Sequence, residues 1–114
     1  MAKIIGFDMS SQEPEKAIEF YNNVFGWKIS EPNYEYWSVD CGTESEIKGG
    51  ISRGPADFPH GTRIQIEVDS IDEVIVQCCN NGAKVLREKM EFEKFFLAYL
   101  VDPVGIGFGL VEHK

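Results

Sequence analysis

Arg63, Gln65 and Glu67 alternate with Ile64, Ile66 and Val68. A period of two puts the polar set on one face of a strand and the apolar set on the other. An arginine on such a face can hold a carboxylate or phosphate through its planar fork. Asp8, in the β-prone run from Lys3 to Met9, and Glu67 are carboxylates that could act as general bases if desolvation raised their pKa. The same four residues could instead be structural ion pairs or solvated charges, which is the commoner fate of such side chains.

The other reactive residue types offer less. Cys78 and Cys79 fall within an apolar helical stripe, where a thiol serves as a small hydrophobe. Cys41 precedes Gly42 with nothing nearby in sequence to lower its pKa. The two histidines, His60 and His113, lie in a linker and at the C-terminus and are not expected to converge. Gly105, Gly107 and Gly109 alternate, but no helix follows, so they do not make a phosphate loop. Strand glycines of this kind permit close approach of another backbone or a ligand. Aromatic residues are plentiful: Tyr34, Tyr36, Trp37, Phe58, Phe92, Phe95, Phe96 and Tyr99. Tyr36 and Trp37 must point to opposite faces of a strand, and Trp37 is assigned to a ligand wall.

The elements that would position these residues follow from periodicity and stop signals. After the first strand, Pro14 suits a first helical turn, and Ala17, Ile18, Phe20, Tyr21, Val24 and Phe25 form an apolar stripe that ends at Gly26. This predicts a helix over 14–25, then strands at 27–29, 34–40 and 47–53, with a turn at 42–46. The stretch 54–61 contains two prolines and two glycines and reads as a linker. The second half repeats the order: strand 63–68, a capping box at Ser70-Ile71-Asp72-Glu73, a helix that stops at Gly82, and strands at 84–87, 95–101 and 107–112. Asp102-Pro103-Val104-Gly105 is a turn between the last two. Both helices end near an Asn-Asn pair followed by a glycine. A duplicated unit of this kind must pair with another to bury its sheet.

Bulk composition bounds the function. The chain has 114 residues, 43% hydrophobic and 26% charged, which suits one folded domain, 1–114, made of modules at about 1–56 and 61–114. A formal net charge of −8 disfavours nucleic acid and anionic membrane surfaces as partners. No apolar run approaches the ~20 residues of a membrane span, and no secretory leader is visible. Three cysteines, two of them adjacent, do not form a disulfide framework, and a reducing cytoplasm is the expected setting.

Several segments resemble the vicinal oxygen chelate superfamily of glyoxalases, extradiol dioxygenases and bleomycin-resistance proteins. They are Glu15-Lys16-Ala17-Ile18-Glu19-Phe20-Tyr21 with Val24-Phe25-Gly26-Trp27, Gly49-Gly50-Ile51, Val68-Asp69-Ser70-Ile71-Asp72, Gly82-Ala83-Lys84-Val85-Leu86, and Asp102-Pro103 through Gly105 to Phe108-Gly109-Leu110. They occur in the expected order over nearly the whole chain. The resemblance implies an α+β fold of two βαβββ modules whose curved sheets pair into a cup, with helices on the outer faces. It places Ile5, Phe7, Met9, Ile64, Ile66 and Val68 toward the helices, and Ile4, Gly6, Asp8, Arg63, Gln65 and Glu67 toward the cup.

Metal-using members of that superfamily bind a divalent ion through His, Glu or Gln. Carried over by motif, the ligand positions fall here on Gly6, Arg63 and Gly109. Glycine offers no side-chain donor and arginine is a cation, so no metal and no other cofactor is expected at the usual place. The expected function is binding of a small molecule by a bleomycin-resistance-like protein, with Arg63, Gln65, Trp37, Gly6 and Gly109 against the ligand. The alternative is a lyase or isomerase of glyoxalase-like type that works through Asp8 and Glu67, with Glu112 a further candidate, or through an unconventional metal site at Glu67 and His60. A homodimer is expected because relatives of this architecture often pair.

Overall fold

The computed structural model describes residues 2–42, 47–54 and 61–114. It divides into two compact units. One runs from Gly6 to Thr62, and the other comprises Arg63–Lys114 with the start of the chain as far as Ile5. Each unit is a four-stranded sheet with one helix, so the fold is α+β and built from two βαβββ modules.

In the first unit, β1 (Lys3–Ser10) leads to α1 (Pro14–Phe25), then to β2 (Lys28–Ile29), β3 (Tyr36–Asp40) and β4 (Lys48–Ser52). Pro14 opens the helix and Gly26, at φ 69°, closes it in the left-handed conformation, as the stop signals predict. The strand order is β2-β3-β4-β1, with β1 and β4 parallel and the other pairs antiparallel. Phe7, Met9, Trp37, Val39, Gly49 and Ile51 share one face by register. Val39 and Ile51 are buried there, and Phe7 meets Trp27, which stacks on Tyr21 of α1 with ring centroids 5.0 Å apart.

The second unit repeats this topology. β5 (Gly61–Glu67), α2 (Ile71–Asn80), β6 (Lys84–Glu91), β7 (Phe95–Val101) and β8 (Gly107–His113) give the order β5-β8-β7-β6, with β5 and β8 parallel. Strand β6 runs four residues further than the sequence pattern predicts, and two register shifts against β7 interrupt the alternation that would have marked it. Val68, Ile71, Ala98, Leu100 and Leu110 form the buried core, with Ile66, Val74, Ile75, Cys78, Val85, Phe96 and Phe108 packed on it. The Ser70 hydroxyl accepts from the Glu73 amide, as the capping box predicts. The partner of the Ile71 amide is the Glu112 carboxylate, at 2.8 Å. Glu112 is thereby engaged at a helix N-terminus rather than on the polar sheet face.

The turn before β8 forms at Asp102, whose side chain accepts from the amides of Val104 and Ile106. The turn expected at 42–46, the linker at 54–61, and Phe58 and His60 lie wholly or largely outside the described residues.

Candidate functional site

Each module presents one apolar sheet face to its helix and one polar face. In the first module the polar face carries Gly6, Asp8 and Ser10 of β1, Lys48, Gly50 and Ser52 of β4, and Tyr36 and Ser38 of β3. Asp8 is only 5% exposed. The Tyr36 hydroxyl donates to its Oδ1 across a long 3.4 Å contact. Burial, reinforced by the negative charge of Asp8, pushes the Tyr36 phenol well above its ordinary pKa of 10.0. The Tyr36 ring can reach Asp8 because it lies over Gly50, where any Cβ would collide with the phenol.

Tyr36 is the residue missed by sequence reading. Trp37, assigned to the ligand wall, shares the helix-side face with Val39 and Ile51. The signal was present, since Tyr36, Ser38 and Asp40 alternate as a polar set while Trp37 and Val39 form the apolar one. By the rule of period two, Tyr36 occupies the face of Asp8, and Trp37 packs in the layer beneath it.

In the second module the polar face holds Arg63, Gln65 and Glu67 of β5, as the alternation predicts. Facing them by register are Gly107, Gly109, Val111 and His113 of β8, Leu97, Tyr99 and Val101 of β7, and Lys84, Arg87 and Met90 of β6. Arg63 is 6% exposed, and its guanidinium carbon sits 5.4 Å from the centroid of the Tyr99 ring. Its aliphatic stem lies over Gly107, where an added Cβ would be 3.3 Å away. Gln65 and Tyr99 converge over Gly109, each 3.2 Å from where a Cβ would be. These glycines leave no room for a side chain between β5 and β7.

Glu67 lies further along the face. Its Oε2 is 2.6 Å from Nδ1 of His113 and its Oε1 is 3.8 Å from Nζ of Lys3. The histidine at the C-terminus therefore does meet a candidate carboxylate, contrary to expectation. The alternation of Gly109, Val111 and His113 down β8 places it on that face.

A resident metal at the superfamily's positions does not fit these side chains. Gly6 and Gly109 bring no donor, and a Cβ at Gly6 would strike the backbone carbonyl of Lys48 on the next strand, so no ligand-bearing side chain could occupy that position. Arg63 brings a permanent positive charge. Among the described residues, no group of three His, Cys, Asp or Glu is arranged to hold a metal ion. No helix of the described chain is long and apolar enough to cross a membrane.

The most voluminous hollow found among the described residues, about 610 Å³, lies at the β2 edge of the first module, between Lys28, Ser38, Asp40, Cys41 and Lys48. It is open, it gathers no convergent set of polar groups, and it does not include Asp8. The polar sheet faces carry the stronger chemistry. Burial raises the pKa of Cys78, with the neighbouring Cys79 adding to the effect, so that thiol is held protonated in the core.

The family model described as a glyoxalase-like domain matches residues 5–111. No curated protein sequence matches the chain. Among solved structures, a hypothetical protein from Bacillus halodurans is similar at 18% identity and TM-score 0.67, covering 99% of this chain and 95% of that one. A structure described as an NAD-dependent benzaldehyde dehydrogenase from Legionella pneumophila is 17% identical, with a TM-score of 0.67 over 95% and 97% of the two chains. A methylmalonyl-CoA epimerase from Streptomyces coelicolor is 15% identical, with a TM-score of 0.63 over 97% and 96%. At these identities the likeness is one of fold.

Proposed function

We propose that this chain, which belongs to the glyoxalase-like domain family, binds a small organic molecule against the polar faces of its sheets without a divalent metal at the superfamily's ligand positions. The observation that carries this reading is Arg63, an arginine buried to 6% exposure on a polar sheet face, stacked on Tyr99 and flanked by Gln65. A guanidinium in that setting attracts an anionic group and fixes its orientation by paired hydrogen bonds. Gly6 and Gly109 serve this function as thin points of the wall, and Asp8 with Tyr36 supplies hydrogen-bonding groups on the first module.

Native mass spectrometry of the purified protein against a metabolite panel tests the reading. The expected result is a one-to-one adduct with an organic molecule, and no stoichiometric metal. Absence of any adduct, or a tightly held divalent ion, overturns it.

A second reading is favoured by the Asp8–Tyr36 pair. A buried carboxylate beside a phenol held in its neutral form is an arrangement suited to moving a proton to and from a bound carbonyl compound, as a lyase or isomerase does. Glu67, joined to His113, is the other carboxylate on a polar face. Under this reading Asp8→Asn abolishes turnover of the bound molecule while the protein remains folded. Unchanged turnover in Asp8→Asn and in Glu67→Gln removes it.

The chain is also proposed to act in the cytoplasm as a homodimer. Phe20, Val24 and Phe25, exposed on α1, give such a dimer apolar surface to bury. Light scattering reads this directly, and a monomer at micromolar concentration contradicts it.

A further inference from the structure

We propose that the polar face of the second module selects a planar aromatic carboxylate, held by Arg63 and Arg87 with its ring against Tyr99. This rests on the small-molecule reading above and names its ligand class.

The register carries the argument. Gln65 pairs with Gly109, Gly109 with Tyr99, and Tyr99 with Arg87, so these four form one row across four strands. The next row is Arg63, Gly107, Val101 and Lys84. The Tyr99 ring therefore stands between a guanidinium on β5 and another on β6, with a lysine beside them. Arg63 is buried and Arg87 half-buried, so both charges act in a medium where they are screened less than at the surface. In a chain with 19 acidic and 11 basic residues, this concentration of positive charge runs against the overall balance. The acid that the register places on the same face is Glu67, which is joined to His113 and Lys3.

The shape agrees with the charge. Gly109 offers no side chain, and the Gln65 amide and the Tyr99 ring edge close over it. A flat ring can lie along Tyr99 where a tetrahedral or branched group would meet the Gln65 and Arg63 stems. Aromatic stacking adds about 0.5–1.5 kcal/mol beyond area burial. An inorganic anion would gain the guanidinium contacts and lose that stacking.

Anthranilate, a fluorescent planar carboxylate, is the direct probe. Titration of the full chain should give a saturable change in its emission. Arg63→Ala should weaken binding at least tenfold, and Arg87→Ala several-fold. Arg63→Lys, which keeps the charge and loses the fork, should fall between wild type and Arg63→Ala. Lys89→Ala removes a charge that sits over Phe96 on the helix side and should leave the affinity unchanged. Aniline, which lacks the carboxylate, should not bind, and phosphate should compete only weakly.

Lack of saturable binding to wild type overturns the proposal. So does equal affinity in Arg63→Lys and Arg87→Ala, variants that keep the test decisive if Arg63→Ala fails to fold. A metabolite panel that returns a neutral or cationic ligand while anthranilate fails overturns this inference alone. A bare protein in both experiments overturns the small-molecule reading with it.

Discussion

Tyr36 shows how far a single side chain depends on its neighbours. Its phenol is held neutral by burial and by Asp8, so its folded pKa lies above the unfolded value of 10.0. The folded state then binds that proton more tightly than the unfolded state does. The stabilisation is complete below pH 10 and is lost as pH rises toward the folded pKa, because the unfolded phenol ionises first. Urea unfolding of wild type and Tyr36→Phe should therefore give a stability difference that shifts against wild type between pH 9.5 and 11.5. A difference that does not vary with pH across that window would remove the Asp8–Tyr36 coupling. Gly50 belongs to the same feature. Gly50→Ala should displace the Tyr36 ring and destabilise the module by about 1–3 kcal/mol, the usual cost of overpacking.

The lesson about sequence at this scale is mixed. Arg63, Gln65, Glu67 and Asp8 lie on the faces that alternation assigns to them. Trp37 does not, because an aromatic ring beside a tyrosine was judged by type when Ser38 and Val39 already settled the face by period. His113 was passed over as a terminal residue. Its contact with Glu67 depends on the parallel register of β5 and β8, which no local pattern contains.

At the scale of elements, the β2–β3 region holds a tight turn with an unusual composition. Tyr34 and Glu35 both have positive φ, at 54° and 58°, between the paired residues Asn33 and Tyr36. That conformation favours Asn-Gly, and neither residue adopts it cheaply. Arg53 fastens the turn by meeting Glu35 at 3.3 Å while it also binds Glu15 and the carbonyl of Gln12. Tyr34 is 98% exposed, so Tyr34→Asn loses no packing. It should stabilise the protein by about 0.5–1 kcal/mol in thermal or chemical melts. Loss of stability there would contradict the strained turn. Sequence reading placed a strand from residue 34 because aromatic residues favour strands, and the turn was invisible without its glycine.

The second helix gives the opposite case. Its capping box was legible in Ser70 and Glu73, but the contribution of Glu112 comes from the far end of the module. Glu112→Ala should cost about 1–2 kcal/mol by orphaning the Ile71 amide, with no effect on ligand affinity. A large loss of affinity with intact stability would instead return Glu112 to the binding site.

For the molecule as a whole, the duplication was readable because each module repeats the same order of helix stops and strands, and each sheet has the same topology. The core of the second module is continuous, and Leu100, fully buried within it, should cost about 2–5 kcal/mol when changed to Ala. The glycines that interrupt the polar faces were legible as close-approach positions. What approaches them, the Tyr36 phenol at Gly50 and the Gln65 amide at Gly109, was not. That information lies in the pairing of strands distant in sequence.

The central claim is that this chain receives a small molecule on its polar sheet faces and not in the edge hollow around Lys28, Asp40 and Lys48. Amide chemical-shift mapping by NMR during titration with anthranilate tests it most directly. The account predicts saturable shifts that centre on Arg63, Gln65, Arg87, Tyr99, Gly107 and Gly109. Shifts confined to Lys28–Ser30 and Ser38–Gly42, or no saturable shifts at all, would contradict it.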